Sequence, residues 1–471
     1  MDQPGTDKTD WVAELARALP DRALIDDATR RDLATDFGRI SERKPSIVVR
    51  PQSKDEVQQI IRFAAKHLLH VTPRGAGHSQ SGQSLSDQIA LDLRDLNRIL
   101  HIDRQGEAVV CQAGVTWRRL LDALLPKGLS PPVLTNNLDV TLGGSISTAG
   151  LGVASWRFGT QADHCLECEV VTGSGEAVRC SSNLNLELFD AVRAGLGQFG
   201  VITEITLRLR RHKPNVRTFY LLYDDLNVLL SDLQILMEEE RFDHLEAWCA
   251  PLVQGFKTTT EQPRPFAQWF FPLHASYEIE GPARVDDANK LQGLRYYKHV
   301  HTEDYKIGAF FSRLDSLFAL WKQGGFWDYA HPWMECVLPW ESAAAYVTQV
   351  IESVPPQALL GGHILLWPGR STASSVPLFV RPTSELVLGF GLLPAVPRER
   401  LAEALLLLDR ASVAAILAGG KRYLSGWVNF GQAQWQAHYG DLYIKLLKLK
   451  GKYDPLAVFP LNFNFGHEKF R

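Results

Sequence analysis

The sequence predicts an α+β protein of two domains, and three observations lead there. A βαβ pattern over residues 46–72 runs into a glycine-rich turn at Arg74-Gly75-Ala76-Gly77-His78-Ser79. Two further glycine-rich stretches, each beside a strand, follow before residue 201. At Arg210-Arg211-His212-Lys213-Pro214 the texture changes to long amphipathic helices interspersed with strands, and a second domain begins. A length of 471 residues itself exceeds one ordinary domain.

In chain order, residues 1–45 read as helical and peripheral. Ser46-Ile47-Val48-Val49-Arg50 is a strand, broken by Pro51. Ser53-Lys54-Asp55-Glu56 is a capping box, in which hydroxyl and carboxylate satisfy each other's backbone N–H groups. Val57, Ile60, Ile61 and Ala64 then recur at helical spacing. The next strand, His70-Val71-Thr72, enters the first glycine turn. Gly75 and Gly77 bracket a small residue, so the backbone is free to adopt positive φ and approach a ligand. Successive N–H groups in such a turn form a nest for an anion such as pyrophosphate, and Ser79 and Gln83 are candidate side-chain donors to it. The nicotinamide-type fingerprint fails here: position 80 is Gln, and Ile89 to Leu93 continues as a strand where a helix belongs.

Val109 to Val115 reads as a strand and Trp117 to Leu125 as a helix. The second glycine-rich stretch, PPVLTNNLDVTLGGSISTAGLGVASWRFGT from Pro131 to Thr160, has small side chains that let main chain lie flat against a bulky group. The third, Gly195-Leu196-Gly197-Gln198-Phe199-Gly200, matches G-x-G-x-x-G but in inverted context, with a helix before it and a strand after it. A pyrophosphate turn of the Rossmann kind needs the helix after the loop. One long ligand wrapped by all three segments accounts for them better. In the second domain the sequence predicts helices at Asp225 to Glu239, Ala343 to Ser353 and Arg398 to Ala418. Strands are expected at Leu245 to Cys249, Trp333 to Leu338, His363 to Leu366 and Leu386 to Leu393.

Composition narrows the function classes. Net charge is −3, which gives no electrostatic case for nucleic acid. The most apolar run, Leu401 to Ala418, contains Glu403, Asp409 and Arg410, so no membrane partner is expected. The polar, acidic N-terminus lacks a signal-peptide core, and a cytoplasmic location is the expectation. Six cysteines are too few for a disulfide scaffold. Cys165-Leu166-Glu167-Cys168 matches C-x-x-C without a second pair. Because residues three apart on a strand face opposite ways, the two read as separate buried thiols and no metal site is expected. Twelve Trp, twelve Tyr and twenty-two Phe supply walls for a flat apolar substrate or for a large core.

Taken together these segments resemble flavoenzymes of the vanillyl-alcohol-oxidase (PCMH) type. The stretches PPVLTNNLDVTLGGSISTAG, WRFGTQADHCLECEVVTGSGE, ELFDAVRAGLGQFGVIT, FDHLEAW, HPWMECVLP and KYDPLAVFP are similar to cytokinin dehydrogenases in particular. The resemblance runs from about residue 40 to 465. It implies an FAD-binding domain of two packed α+β subdomains over residues 1–212, with its core at about 43–212. A substrate domain, an antiparallel sheet covered by helices, is implied over 213–440, and a segment over 441–471 that returns to the FAD domain. It implies that His78 bonds covalently to the flavin; no cysteine in 131–144 offers a second tether. Arg74, Gly75, Ala76, Gly77, Ser79 and Gln83 fall in the pyrophosphate loop. Thr141, Gly143, Gly144, Ser147, Ala149 and Gly150 fall in the segment along the diphosphate and flavin ring. Ile202 meets the adenine side, and Asn462 and Asn464 fall where relatives contact the pyrimidine edge, although PLNFNF departs from their wording.

The implied reaction moves a hydride from a carbon bearing nitrogen to the flavin, and the resulting imine hydrolyses to aldehyde and amine. Oxygen or a quinone would re-oxidise the flavin. One departure bears on this chemistry. Where cytokinin dehydrogenases carry a proton-accepting aspartate, this chain has Asn136, and an amide is not a base. Either Asn136 orients a substrate that loses its proton to water, or Asp139 or Glu246 takes the proton, or the substrate is another amine, an alcohol or a biosynthetic intermediate. Trp248, Trp333 and Trp367 are candidate walls of the substrate slot.

Overall fold

The computed structural model describes residues 10–257, 264–281, 287–359 and 361–460. Strands are numbered in chain order. The first sheet holds β1 (Ala23–Leu24), β2 (Ile47–Val49), β3 (Val71–Arg74) and β4 (Ile89–Asp92) in the order β1-β2-β4-β3, with β2, β4 and β3 parallel. The helix Lys54–His67 crosses over from β2 to β3 and starts on the expected Ser53/Glu56 capping box. Its apolar stripe, Val57, Ile60, Ile61 and Ala64, is fully buried against this sheet. The glycine turn therefore leaves the carboxyl end of a parallel strand, where main-chain N–H groups emerge unpaired.

The second sheet is antiparallel: β5 (Ile99–Asp103), β6 (Ala108–Gln112), β8 (Cys165–Val171), β9 (Ala177–Ser181) and β10 (Val201–Arg208), in the order β5-β6-β10-β8-β9. Two short strands, β7 (Leu129–Ser130) and β11 (Arg210–Arg211), pair beside it. Eight antiparallel strands form the third sheet: β12 (Asn215–Tyr223), β13 (His244–Lys257), β14 (Arg264–Ile279), β15 (Lys298–Lys306), β16 (Met334–Pro339), β17 (His363–Arg370), β18 (Leu386–Leu393) and β19 (Lys421–Tyr423). Their order is β15-β12-β14-β13-β17-β18-β16-β19. Alternation gives this sheet two faces. Ala247, Ile364, Leu366, Cys336, Leu338, Leu388 and Phe390 are buried in one core with residues of the helices Leu226–Glu238, Trp340–Ser353 and Leu401–Leu417. Glu246, Leu365, Trp367 and Glu335 fall in the opposite phase and line a cavity against the first two sheets.

The chain comes back at its end. Helix Leu442–Tyr453 packs on the core of the second sheet, and buried Lys450 donates to the Gln198 carbonyl at 2.7 Å and the Phe459 carbonyl at 2.8 Å. Val71 N donates to Val458 O at 2.8 Å, tying the same segment to the first sheet.

Two sequence expectations are corrected. Residues 1–45 are not peripheral throughout: β1 extends the first sheet, and Phe37 and Gly38 donate their N–H groups to the carbonyls of Gly77 and Ser79. Cys165 and Cys168 do not face apart; their sulfurs lie 3.2 Å from each other in one core. The reason is a register shift against β10 between Thr206 and Leu207, which inserts Leu166 and turns Cys165 onto the face of Cys168. Among the described residues no helix is long and apolar enough to cross a membrane, and no cluster of His, Cys, Asp and Glu is placed to hold a metal ion.

Candidate active site

One cavity of about 320 Å³ is lined by all three glycine-rich segments and by the third sheet. On the first turn, Ala76, Gly77, His78 and Ser79 line it, and none of their backbone N–H groups donates to an acceptor among the described residues. Gly77 has φ +70°, the left-handed conformation expected of a nest. Thr141, Gly143, Gly144, Ser147 and Gly150 line the cavity from the second segment; Leu196, Gly197, Gly200 and Ile202 line it from the third. A Cβ on Gly197 would meet no atom of the described residues within 4 Å, so at that point main chain borders the space. Both side-chain polar atoms of Gln161, on the cavity wall, are buried without a partner among the described residues. Unpaired N–H groups, an orphaned buried amide and bare main chain on three loops are what a long phosphate-bearing ligand requires.

The same geometry alters several residue roles. Arg74 borders the cavity, but its guanidinium runs beneath Gly77 and donates to the carbonyls of Leu33 and Thr35 at 3.4 and 2.9 Å. The Ser79 hydroxyl donates to Asp36 Oδ2 at 2.8 Å, and Gln83 accepts from Ser81 N at 2.7 Å. These side chains brace the turn and are engaged within the protein. Gly75 packs against Thr141, where a Cβ would fall 2.1 Å from Oγ1. Ala149 does not line the cavity; it is buried, in the left-handed region at φ +76°, and its carbonyl holds Ala162 N. Asn462 and Asn464 lie outside the described residues.

His78 is set in an aromatic nest. Phe37 lies 4.1 Å from its ring centroid and Trp333 5.6 Å, edge-on. Burial, helped by nearby His331, lowers its pKa to about 4, so the imidazole is neutral and nucleophilic at physiological pH. Neither of its ring nitrogens has a hydrogen-bond partner among the described residues.

On the sheet side, Asn136 and Glu246 meet. Asn136 Nδ2 donates to Glu246 Oε1 at 2.8 Å, while Arg313 Nη2 donates to both Glu246 Oε2 and Asn136 Oδ1 at 3.0 Å. Burial pushes the Glu246 carboxyl up, but the Arg313 guanidinium, His274 and the Asn136 amide outweigh it and hold its pKa below the ordinary value. Glu246 is thus an ionised carboxylate on the cavity wall. Asp139 is elsewhere: it pairs with Arg118 at 2.6 Å, with its side chain 64% exposed, outside the cavity lining. Of the candidate tryptophans, Trp333 and Trp367 line the cavity and Trp248 does not. The Trp367 indole lies across Gly389, where a Cβ would come within 1.8 Å of it; the glycine makes room for the ring on the sheet surface.

Sequence reasoning missed Arg313, Glu335, Phe318 and Trp327, all within or against this site. The only signal for Arg313 was a cation directly after the apolar run in FFSRLD; its side-chain partners lie 67 and 177 residues away.

A model of an FAD-binding domain matches residues 45–181. A second, described as cytokinin dehydrogenase 1, FAD and cytokinin binding, matches residues 214–462, more than half of the chain. The chain belongs to the cytokinin dehydrogenase family. It is 31% identical over 439 residues to an uncharacterized oxidoreductase in the fasciation locus of Rhodococcoides fascians, covering 92% of this chain and 96% of that one. Cytokinin dehydrogenase 6 of Oryza sativa subsp. japonica is 31% identical over 490 residues, covering 94% and 91% of the two chains. Cytokinin dehydrogenase 7 of the same plant is 29% identical over 484 residues, covering 94% and 91%. The protein is an FAD-dependent oxidoreductase of this family, and the cavity described above has the lining that FAD requires.

Proposed function

We propose that the protein oxidises a secondary amine of the N6-alkyladenine type, a cytokinin, at the carbon next to the amine nitrogen, and that its FAD is bonded to His78. The observation that carries the reading is the Asn136–Glu246–Arg313 network on the sheet wall of the cavity that the glycine loops line. When bound, FAD supplies the hydride acceptor. The nest at Ala76–Ser79 would hold its phosphates, and neutral His78 is the side chain that would carry the tether.

The remaining work belongs to side chains. Trp367 gives the substrate a flat apolar surface beside the amine nitrogen and keeps water from it. Asn136 Oδ1 has a second lone pair, which accepts the substrate N–H and orients the adjacent carbon. Loss of a hydride from that carbon leaves the nitrogen acidic, and Glu246, ionised and bonded to Asn136, takes its proton. Water then adds to the imine, and the carbon–nitrogen bond breaks to aldehyde and amine. Asn136 in place of an acid also keeps a second reading open: a same-fold enzyme acting on another amine or an alcohol, with oxygen or a quinone as terminal acceptor.

Two measurements test this. Anaerobic isopentenyladenine should bleach the flavin absorbance within the mixing time of a manual experiment; a flavin that stays oxidised while another amine or an alcohol reduces it selects the second reading. Intact mass after denaturation should show one added FAD in the native protein and none in His78→Ala. An unmodified native mass would remove the tether from the proposal.

A further inference from the structure

The cavity wall carries a second carboxyl that neither the cofactor loops nor the Asn136–Glu246 network uses. Glu335 on β16 stands opposite Gly391 of β18 and Tyr423 of β19, so its side chain leaves the sheet on the face that carries Glu246 and Trp367. β16 and β13 are three strand spacings apart, with β18 and β17 between them, which sets the two glutamates roughly 15 Å from each other at the backbone. Between them the wall is Leu365 and Trp367, whose indole lies across Gly389.

Ser425 Oγ donates to Glu335 Oε2, and Oε1 has no partner among the described residues. The neighbouring cation is engaged elsewhere. Arg422 donates to the Glu335 carbonyl at 2.9 Å, to Ser412 Oγ at 2.7 Å and to the Trp427 carbonyl at 2.6 Å, and makes no side-chain bond to the carboxyl. Burial pushes the Glu335 pKa up to about 7, with Ser425 and Arg422 pulling the other way. A carboxyl so placed lacks a donor that a ligand can bring.

We infer that Glu335 and Ser425 form a binding site for a hydrogen-bond donor, a hydroxyl or an amine, at the end of the substrate remote from the group held by Asn136. The inference rests on the amine-oxidation reading and deepens it. The substrate is an amine whose apolar spacer crosses the Trp367 wall and whose far end carries a donor.

The test uses two trios of compounds that differ only at the chain terminus, which is methyl, hydroxyl or primary amine. One trio is N6-pentyladenine and its terminally substituted forms; the other is pentylamine, 5-aminopentanol and 1,5-diaminopentane. Dissociation constants come from flavin spectral titration of the holoenzyme, and FAD content from its absorbance. The native protein should bind donor-tailed compounds about tenfold more tightly than the methyl-tailed one, the worth of one hydrogen bond to a carboxylate. Glu335→Leu should abolish that ratio with FAD retained. Should that variant lose its FAD, Glu335→Gln decides: it should lose the preference for the amine tail more than that for the hydroxyl. Failure of the adenines to bind, with the tail preference intact in the simple amines, would sink the adenine reading and leave this site standing. No tail preference in either trio, or a preference that survives Glu335→Leu, overturns the inference.

Discussion

Along the FAD-domain wall of the cavity the ligand meets main chain: four N–H groups on one turn, unpaired among the described residues, and glycines on two others. Along the sheet wall it meets side chains, and these come from distant parts of the chain, with Asn136, Glu246, Arg313, Glu335 and Trp367 gathered from strands and loops over more than 200 residues. The first wall recognises phosphate and a large flat ring by shape and dipole, which any sequence with small residues in the right turns provides. The second is electrostatic, and its two carboxyls are set apart by their partners alone. Glu246 is held ionised by Arg313, while Glu335, without a paired cation among the described residues, is held half-protonated near neutral pH. Residue type does not decide charge state here; the neighbouring guanidinium does.

That contrast is open to direct attack, and the hardest blow is Arg313→Ala. It leaves Glu246 buried and unpaired, and should cost about 3–5 kcal/mol in urea unfolding along with substrate-driven flavin reduction. A smaller loss would mean that Asn136 and His274 suffice to hold the charge. Next is the pH dependence at the other end. Because the folded pKa of Glu335 is raised above its ordinary value, folding favours the protonated acid. Its destabilising effect is absent below about pH 4.5 and grows until the pH passes about 7. Glu335→Gln should therefore leave stability at pH 4 unchanged and raise it at pH 8 by about 3 kcal/mol. Equal Tm changes at both pH values would show an acid with an unshifted pKa. The smallest effect is steric: Gly389→Ala sets a Cβ 1.8 Å from the Trp367 indole. The displaced ring should cost about 1–3 kcal/mol, read by thermal unfolding, and weaken substrate binding more than flavin retention.

The cofactor wall was the legible one because each of its parts is local in sequence. A turn with Gly75 and Gly77 announces its own backbone conformation, and the capping box at Ser53 and Glu56 announces its own helix. What those residues do with their side chains was not legible. Arg74, Ser79 and Gln83 sit on the phosphate turn, yet their partners are Thr35, Asp36 and Ser81, and the first two come from a segment that reads as peripheral. Periodicity misled at Cys165 and Cys168, because one inserted residue in a strand reverses the face of everything before it. Of the third sheet, β13, β16, β17 and β18 were visible as apolar runs. β15 was not, since its exposed residues, such as Lys298, His299, His301 and Glu303, alternate no apolar face. Arg313 needed tertiary structure outright: a cation after a short helix acquires meaning only when Glu246 is brought beside it.

Lys450 has a consequence for how the enzyme matures. The three glycine loops have all been synthesised by residue 202, but the carbonyl of Gln198 in the third is fastened by an ammonium made some 250 residues later, and the strand that feeds the first is tied at Val71 to Val458. The flavin bed is therefore braced only once residues 450–458 have been synthesised, well after the loops they hold.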